Sequence, residues 1–312
     1  MNKGLHRFTV FVTGATLFLI VAGALVTSHD AGLAVPDWPL SFGKLMPQMV
    51  GNVFWEHGHR MVATSVGILV IILNIWLWRR EERAWVRRLG LVALGAVVAQ
   101  GLLGGLTVVL MLPLAVSSAH ATLSQLFFCT MVSLSVFTAP GWREPRPTLL
   151  ERKGRLPLRS LCVAAAAAIL VQLVLGATLR HSATWDKHLP PGLLLTHLAG
   201  ALTVTLLLGA TVMTALHRYR DETYLTRPAQ LAAALLVVQL SLGLAAYVTR
   251  LGSPSGPQPR NPMVGITVAH VACGALVFAA AIVLALRAFR VLRAAEPGKN
   301  LRFEISNLKS EI

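Results

Sequence analysis

Apolar stretches of about 20 residues recur eight times along this chain, and each is long enough to cross a bilayer as a helix. They fall at roughly 8–27, 58–78, 89–110, 118–138, 160–179, 194–216, 229–249 and 264–286. In hydrocarbon every backbone N–H and C=O has to be paired within the protein, so spans of this kind fold as helices. Composition agrees, because 55% of the 312 residues are hydrophobic and only 13% are charged, against about 25% charged in an ordinary soluble domain. The expected class is an all-α integral membrane protein with eight transmembrane helices. A removable leader is the alternative for the first span, where Ala22-Gly23-Ala24 resembles a cleavage site. The length of its apolar run and a matching span at the start of the second half oppose that alternative.

The net charge of +15 would suit a nucleic-acid partner if it were gathered in one patch. It is instead distributed by topology. With the N-terminus in the cytoplasm, the inner segments hold 22 of the 28 Lys and Arg residues. The outer segments hold Lys44, Arg60, Arg180, Lys187, Arg250 and Arg260. That bias follows the positive-inside rule and places both termini in the cytoplasm. It implies contact with anionic membrane lipid and no nucleic acid. Cys129, Cys162 and Cys273 all lie within spans, apart from one another in sequence, so no disulfide framework or thiolate metal site is expected.

The chain repeats itself. Spans three, five and seven contain Gln100-Gly-Leu-Leu-Gly104, Gln172-Leu-Val-Leu-Gly176 and Gln239-Leu-Ser-Leu-Gly243. Span one carries a related stretch, Gly23-Ala-Leu-Val-Thr27. Histidines stand in matching places, with His59 opening span two, His120 span four and His197 span six, and His270 about six residues into span eight. The expected architecture is two pseudo-symmetric four-helix bundles in parallel repeat. Residues 1–140 form the first, 141–159 a basic cytoplasmic linker, 160–290 the second, and 291–312 a cytoplasmic tail. Gly101 and Gly105 form a GxxxG pair of the kind that lets helices approach in lipid. A carboxamide within a span needs a partner, so the repeated Gln is expected to bond across helices.

Even-numbered spans descend from the outer face, so the four histidines share the outer side, two per bundle. An ionisable residue within a span is a functional candidate by default. Paired imidazoles on alternate helices of a bundle suit axial ligation of a haem iron. Zinc would want a third or fourth ligand.

The stretch "EHGHR", Glu56 to Arg60, surrounds the first of these histidines. On a helix His57 and His59 point about 200° apart, so only His59 is assigned to the cofactor set, and His57 faces the loop or a neighbouring ligand. Glu56 shares a face with His59. It either orients the imidazole and accepts protons beside it, or is a solvated carboxylate favoured by the helix dipole. Arg60 either clamps a propionate or snorkels. The preceding outer loop, "SHDAGLAVPDWPLSFGKLMP", is apolar and long, while its counterpart "RHSATWDKHLPPG" is shorter. The longer loop is expected to lie on the membrane surface or to cap the first bundle, which makes that bundle the better site for an exchanging substrate and the second the better home for a resident cofactor.

The "EHGHR" motif, the loop "GLAVPDWPLSFG" and the helix-borne histidines together resemble the haem A synthase family over about residues 7–290. The resemblance implies an inner-membrane oxidoreductase of cytochrome oxidase biogenesis. Its substrate would be haem O, whose C8 methyl is oxidised to a formyl group. His59 and His120 would hold the substrate haem, His197 and His270 a haem b cofactor, and Glu56 would be the catalytic carboxylate. Haem O synthase, a prenyltransferase, and an electron-transfer partner are the implied protein contacts. Many bacterial relatives carry two cysteines around PDWPL, where this chain has Val35 and Ser41; electrons or rigidity must then come from elsewhere. The reading of another class is a dihaem b-type membrane cytochrome passing electrons to or from quinone.

Overall fold

The computed structural model describes residues 3–151, 156–186, 190–251 and 261–293. The linker residues 152–155, Lys187, Arg260, the loop 252–260 and the tail beyond residue 293 lie outside them. Within the described residues the chain forms eight long helices, all apolar and long enough to span a membrane. They are α1 (Lys3–Ser28), α2 (Asn52–Arg80), α3 (Ala84–Val109), α4 (Leu114–Thr138), α5 (Leu158–Asp186), α6 (Pro191–Arg218), α7 (Thr223–Leu251) and α8 (Asn261–Val291). Each runs beyond the apolar core of its span, because a helix continues through the headgroup region until a turn residue or a loop contact stops it. The extension matters most for α2. It starts at Asn52, so Glu56 to Arg60 occupy its second and third turns instead of its mouth.

Helices α1 to α4 close a ring in which each packs on the next and α4 returns to α1. Helices α5 to α8 repeat the ring, and the two rings join through α1, α4, α5 and α8. The first core gathers Val12, Val70, Leu73, Leu77, Phe127 and Met131. The second gathers Ile169, Leu208, Leu225, Phe278 and Leu284. Between them Ile20, Phe128, Ala275 and Ala279 form a smaller seam, where alanines let α8 approach α1 and α4 closely. Outward side chains such as Phe11, Phe18, Ile68, Leu202 and Val237 stay exposed, as lipid-facing positions should.

The linker is more structured than its composition suggests. It includes a 3-10 turn at Pro140–Trp142 and a short strand β1 (Leu149–Leu150), parallel to β2 (Leu292–Arg293) just after α8. Glu151 accepts from the backbone N–H and Nε of Arg159 at 3.0 and 3.1 Å. Arg290 donates to the carbonyls of Gly141 and Glu144, so the end of α8 is stitched to the linker. At the same end Glu81, between α2 and α3, accepts from Arg83 and Arg143 at 2.8 and 2.6 Å. Burial pushes the Glu81 carboxyl up, but the Arg83 hydrogen bonds and the charges of Arg83 and Arg143 outweigh it and hold it at about 2.

Candidate functional site

Each of the four histidines packs on a glycine of the helix before it. A Cβ built on Gly23 would lie 3.1 Å from Cε1 of His59, and one on Gly104 3.2 Å from Cε1 of His120. On Gly176 it would lie 3.0 Å from His197, and on Gly243 3.1 Å from His270. Such separations leave no comfortable room for any larger residue, so the glycines form seats for the imidazole rings. The same unit therefore occurs in the hairpins α1–α2, α3–α4, α5–α6 and α7–α8. Sequence reasoning finds the Gln-x-x-x-Gly echo but gives its glycines no role, and assigns only Gly101 and Gly105 to helix packing. In the structure Gly104 seats His120, a Cβ on Gly105 would strike the Trp38 indole at 2.6 Å, and one on Gly101 would meet nothing within 4 Å. The expected GxxxG helix contact is thus replaced by a ring seat and a loop seat.

His59 and His120 are near enough for their charges to interact, and so are His197 and His270. Each of these two neighbour pairs lies within one bundle. His181 on α5 also senses His120, a neighbour the duplicated pattern gives no reason to expect. Two of the three repeated Gln residues bond across helices. Gln172 Nε2 donates to the His197 carbonyl at 2.9 Å and stands 3.1 Å from its Nδ1, and Gln239 Nε2 stands 3.3 Å from His270 Nε2.

Unpartnered buried polar atoms mark where a ligand fits. Nδ1 of His59, His120 and His270 each lacks a hydrogen-bond partner. In the first bundle Gln100 Oε1 and the Oγ atoms of Ser117 and Ser118 share this condition. Buried polar groups are costly unless satisfied, and iron-bound imidazole with a propionate-bearing macrocycle would satisfy groups of this type. Among the described residues no three His, Cys, Asp or Glu side chains converge as a metal site.

The outer loop caps the first bundle through Glu56, His57 and Arg60. Glu56, buried to 4% exposure, accepts from the Val35 N–H at 2.8 Å and pairs with Arg60 at 2.6 Å. Arg60 also donates to the carbonyls of Asp37 and Leu40 at 2.7 and 2.8 Å and of Val35 at 3.3 Å. Its terminal nitrogens are thus occupied by the loop, which differs from both the propionate clamp and the snorkelling cation expected above. The helix places Arg60 one turn after Glu56, and the loop carbonyls fill the fork that a propionate would need. His57 faces the loop as expected, with Nδ1 2.8 Å from Ser41 Oγ. Val35 and Ser41, the two positions singled out in the sequence, are both buried and both held by this clamp.

Asp37 closes the tip of the loop by accepting from the N–H groups of Gly43 and Phe42 at 2.8 and 2.7 Å. Those hydrogen bonds lower its carboxyl below the ordinary value. Phe42 and Gly43 both have positive φ, a conformation the Asp37 cap stabilises. Leu40, Phe42, Leu45 and Met46 remain exposed around it, so the loop both caps the bundle and presents an apolar rim to the membrane surface.

Residues 46–186 match the protein family described as Cytochrome oxidase assembly protein. The chain is 28% identical over 273 residues to the heme A synthase of Shouchella clausii, covering 80% of this chain and 88% of that one. It is 27% identical over 270 residues to the heme A synthase of Halalkalibacterium halodurans, covering 80% and 89%. A shorter match to the heme A synthase of Lysinibacillus sphaericus reaches 32% over 138 residues, covering 43% and 45%. With eight membrane-spanning helices in two rings and two histidines in each half, this multi-pass cell-membrane protein is similar to the heme A synthases over most of its length.

Proposed function

We propose that the protein oxidises the C8 methyl of haem O to the formyl group of haem A. The observation that carries the reading is the repeated seating of His59, His120, His197 and His270 on glycines of the preceding helices, two in each bundle. His59 and His120 hold the substrate haem, and His197 and His270 hold a resident haem b. Haem b, when bound, supplies a one-electron redox centre beside the substrate. Methyl to formyl, with its oxygen taken from water, is a four-electron oxidation that releases four protons, and an electron-transfer partner outside the chain takes the electrons. The sites lie toward the outer face, with both termini cytoplasmic, as the distribution of Lys and Arg supports.

The chain's own residues shield the site from bulk solvent, orient the substrate and handle protons. The loop from Val35 to Ser41 covers the first bundle and is held there by Arg60. Glu56 Oε2 receives the Val35 N–H. If the loop lifts to admit haem O, that oxygen is freed and becomes a proton acceptor beside His59. The unpartnered Ser117, Ser118 and Gln100 atoms offer hydrogen bonds to a polar substrate. They give the first bundle the larger unmet polar demand, in keeping with a substrate that comes and goes. Haem O synthase is the natural donor of that substrate.

The test is co-production with a haem O-forming prenyltransferase, followed by pigment extraction. Haem A should appear, and Glu56→Gln should abolish it while both haem sites stay filled. A carboxylate acting only on the helix dipole contributes about 0.3–1 kcal/mol, and its loss would leave the product yield almost unchanged. Two b-haems in fixed ratio with no new pigment would favour the dihaem cytochrome.

A further inference from the structure

At the end of the molecule opposite the four histidines, the two bundles part around a cavity of about 730 Å³. Its floor is apolar, with Leu17 of α1, Phe128 and Val132 of α4 and Leu276 of α8. These are side chains of the seam between the bundles. Its rim is basic, with Arg146 from the linker, Arg227 from α7 and Arg287 from α8. Tyr224 draws two of them together, since the guanidinium carbons of Arg146 and Arg287 lie 3.9 and 4.7 Å from its ring centroid. Arg287 feels the charges of both Arg146 and Arg227.

Among the described residues none of these three arginines has a carboxylate at ion-pair distance. Of the acids at this end, Glu81 takes Arg83 and Arg143 and Asp221 takes Arg220, while the Glu144 carboxylate lies beside Gly141 on the rim. Arg287 donates to the Tyr224 carbonyl at 3.2 Å, and Arg290 to the carbonyls of Gly141 and Glu144 and to the Tyr224 hydroxyl. Basic residues placed only to orient a membrane protein would spread into water, where like charges are screened. Three cations gathered on the rim of a cavity repel one another unless an anion joins them.

We infer that the cavity binds an anionic phospholipid. Its phosphate is held by Arg146, Arg227 and Arg287, and an acyl chain lies against Leu17, Phe128, Val132 and Leu276. Guanidinium groups match phosphate oxygens in forked pairs, and basic pockets between membrane helices suit anionic headgroups. Free phosphate would neutralise the rim but leave the apolar floor bare, whereas a lipid satisfies both. Because the floor is shared by α1, α4 and α8, the lipid ties the bundles together. The inference is independent of the haem reading.

The full-length protein in detergent, titrated with equimolar phosphatidylglycerol and phosphatidylcholine of the same chain length, tests it by native mass spectrometry. Phosphatidylglycerol should be retained at least about tenfold better, because both lipids offer the phosphate but the choline cation of phosphatidylcholine is repelled by the three arginines. The double variant Arg146→Gln/Arg287→Gln should lose that preference. Arg220→Gln, at the same end but exposed and paired with Asp221 at 3.6 Å, should keep it. Gly14 lines the cavity, and a Cβ there meets nothing within 4 Å. Gly14→Phe should therefore fill the acyl groove and weaken both lipids with every arginine in place. Equal retention of the two lipids by the unmodified protein would overturn the inference. So would unchanged phosphatidylglycerol binding in the double variant and in Gly14→Phe, or displacement of the lipid by inorganic phosphate at the same concentration.

Discussion

Gly176 and His197 are matched across the α5–α6 hairpin so closely that a Cβ on the glycine would stand 3.0 Å from Cε1 of the ring. Alanine is the better helix former by about 1 kcal/mol, so Gly176→Ala should fold at least as well as the parent. The added methyl should push the imidazole aside by a few tenths of an ångström and shift the absorption and EPR signals of the haem in the second bundle. Gly176→Leu should lose that haem while leaving the first bundle's signal intact. The haem-to-protein ratio and the two spectra check both outcomes.

Gly105 and Trp38 make the corresponding match between α3 and the cap, with a Cβ at 2.6 Å from the indole. Gly105→Ala should lift Trp38 off the helix at a cost of about 1–3 kcal/mol, the usual range for overpacking. Tryptophan fluorescence should move to the red, and limited proteolysis should cut between residues 38 and 50 faster than in the parent. Unchanged cleavage would show that the cap is held elsewhere.

Arg60→Lys keeps the charge beside Glu56 but cannot reach the Val35, Asp37 and Leu40 carbonyls as a fork. Loss of those bonds should destabilise the cap by about 1.5–3 kcal/mol, with faster proteolysis of the loop and lower haem A yield. The spectrum of the haem proposed for the second bundle should not change, because among the described residues Arg60 hydrogen-bonds to the first bundle's loop and α2.

Glu81 gives a pH signature at the opposite end. Its carboxyl is held at about 2 against an ordinary 4.5, so the folded state favours the charged form. That contribution is fully present above 4.5 and is lost as pH falls toward about 2. The melting temperature of the detergent-solubilised protein should fall across this window. Glu81→Gln should start lower near neutral pH and lose less on acidification. Parallel curves for parent and variant would contradict the coupling to Arg83 and Arg143.

Hydrocarbon imposes a crude rule, and for that reason the eight spans, the duplication and the four histidines are legible from residues alone. His57 is legible too, since its angular offset from His59 sends it to Ser41. What the sequence conceals are contacts between distant helices. Gly23 lies 36 residues from His59 and Gly243 lies 27 from His270, and no local period links them. The signal that exists is the aligned Gln-x-x-x-Gly, of which span one keeps only the glycine, with Leu19 in place of Gln. Arg60 is harder still. A lone arginine at a membrane boundary looks the same whether it meets water, a propionate or a loop, and only the path of residues 35–41 decides between them.

The most direct test is the EPR and low-temperature optical spectrum of the purified protein beside its four single variants, His59→Ala, His120→Ala, His197→Ala and His270→Ala. If each bundle grips one haem between its own two imidazoles, His197→Ala and His270→Ala should each erase the same low-spin signal and spare the other. His59→Ala and His120→Ala should do the reverse. Loss of one signal by a variant from each bundle, or retention of both signals in any of the four, would contradict the pairing.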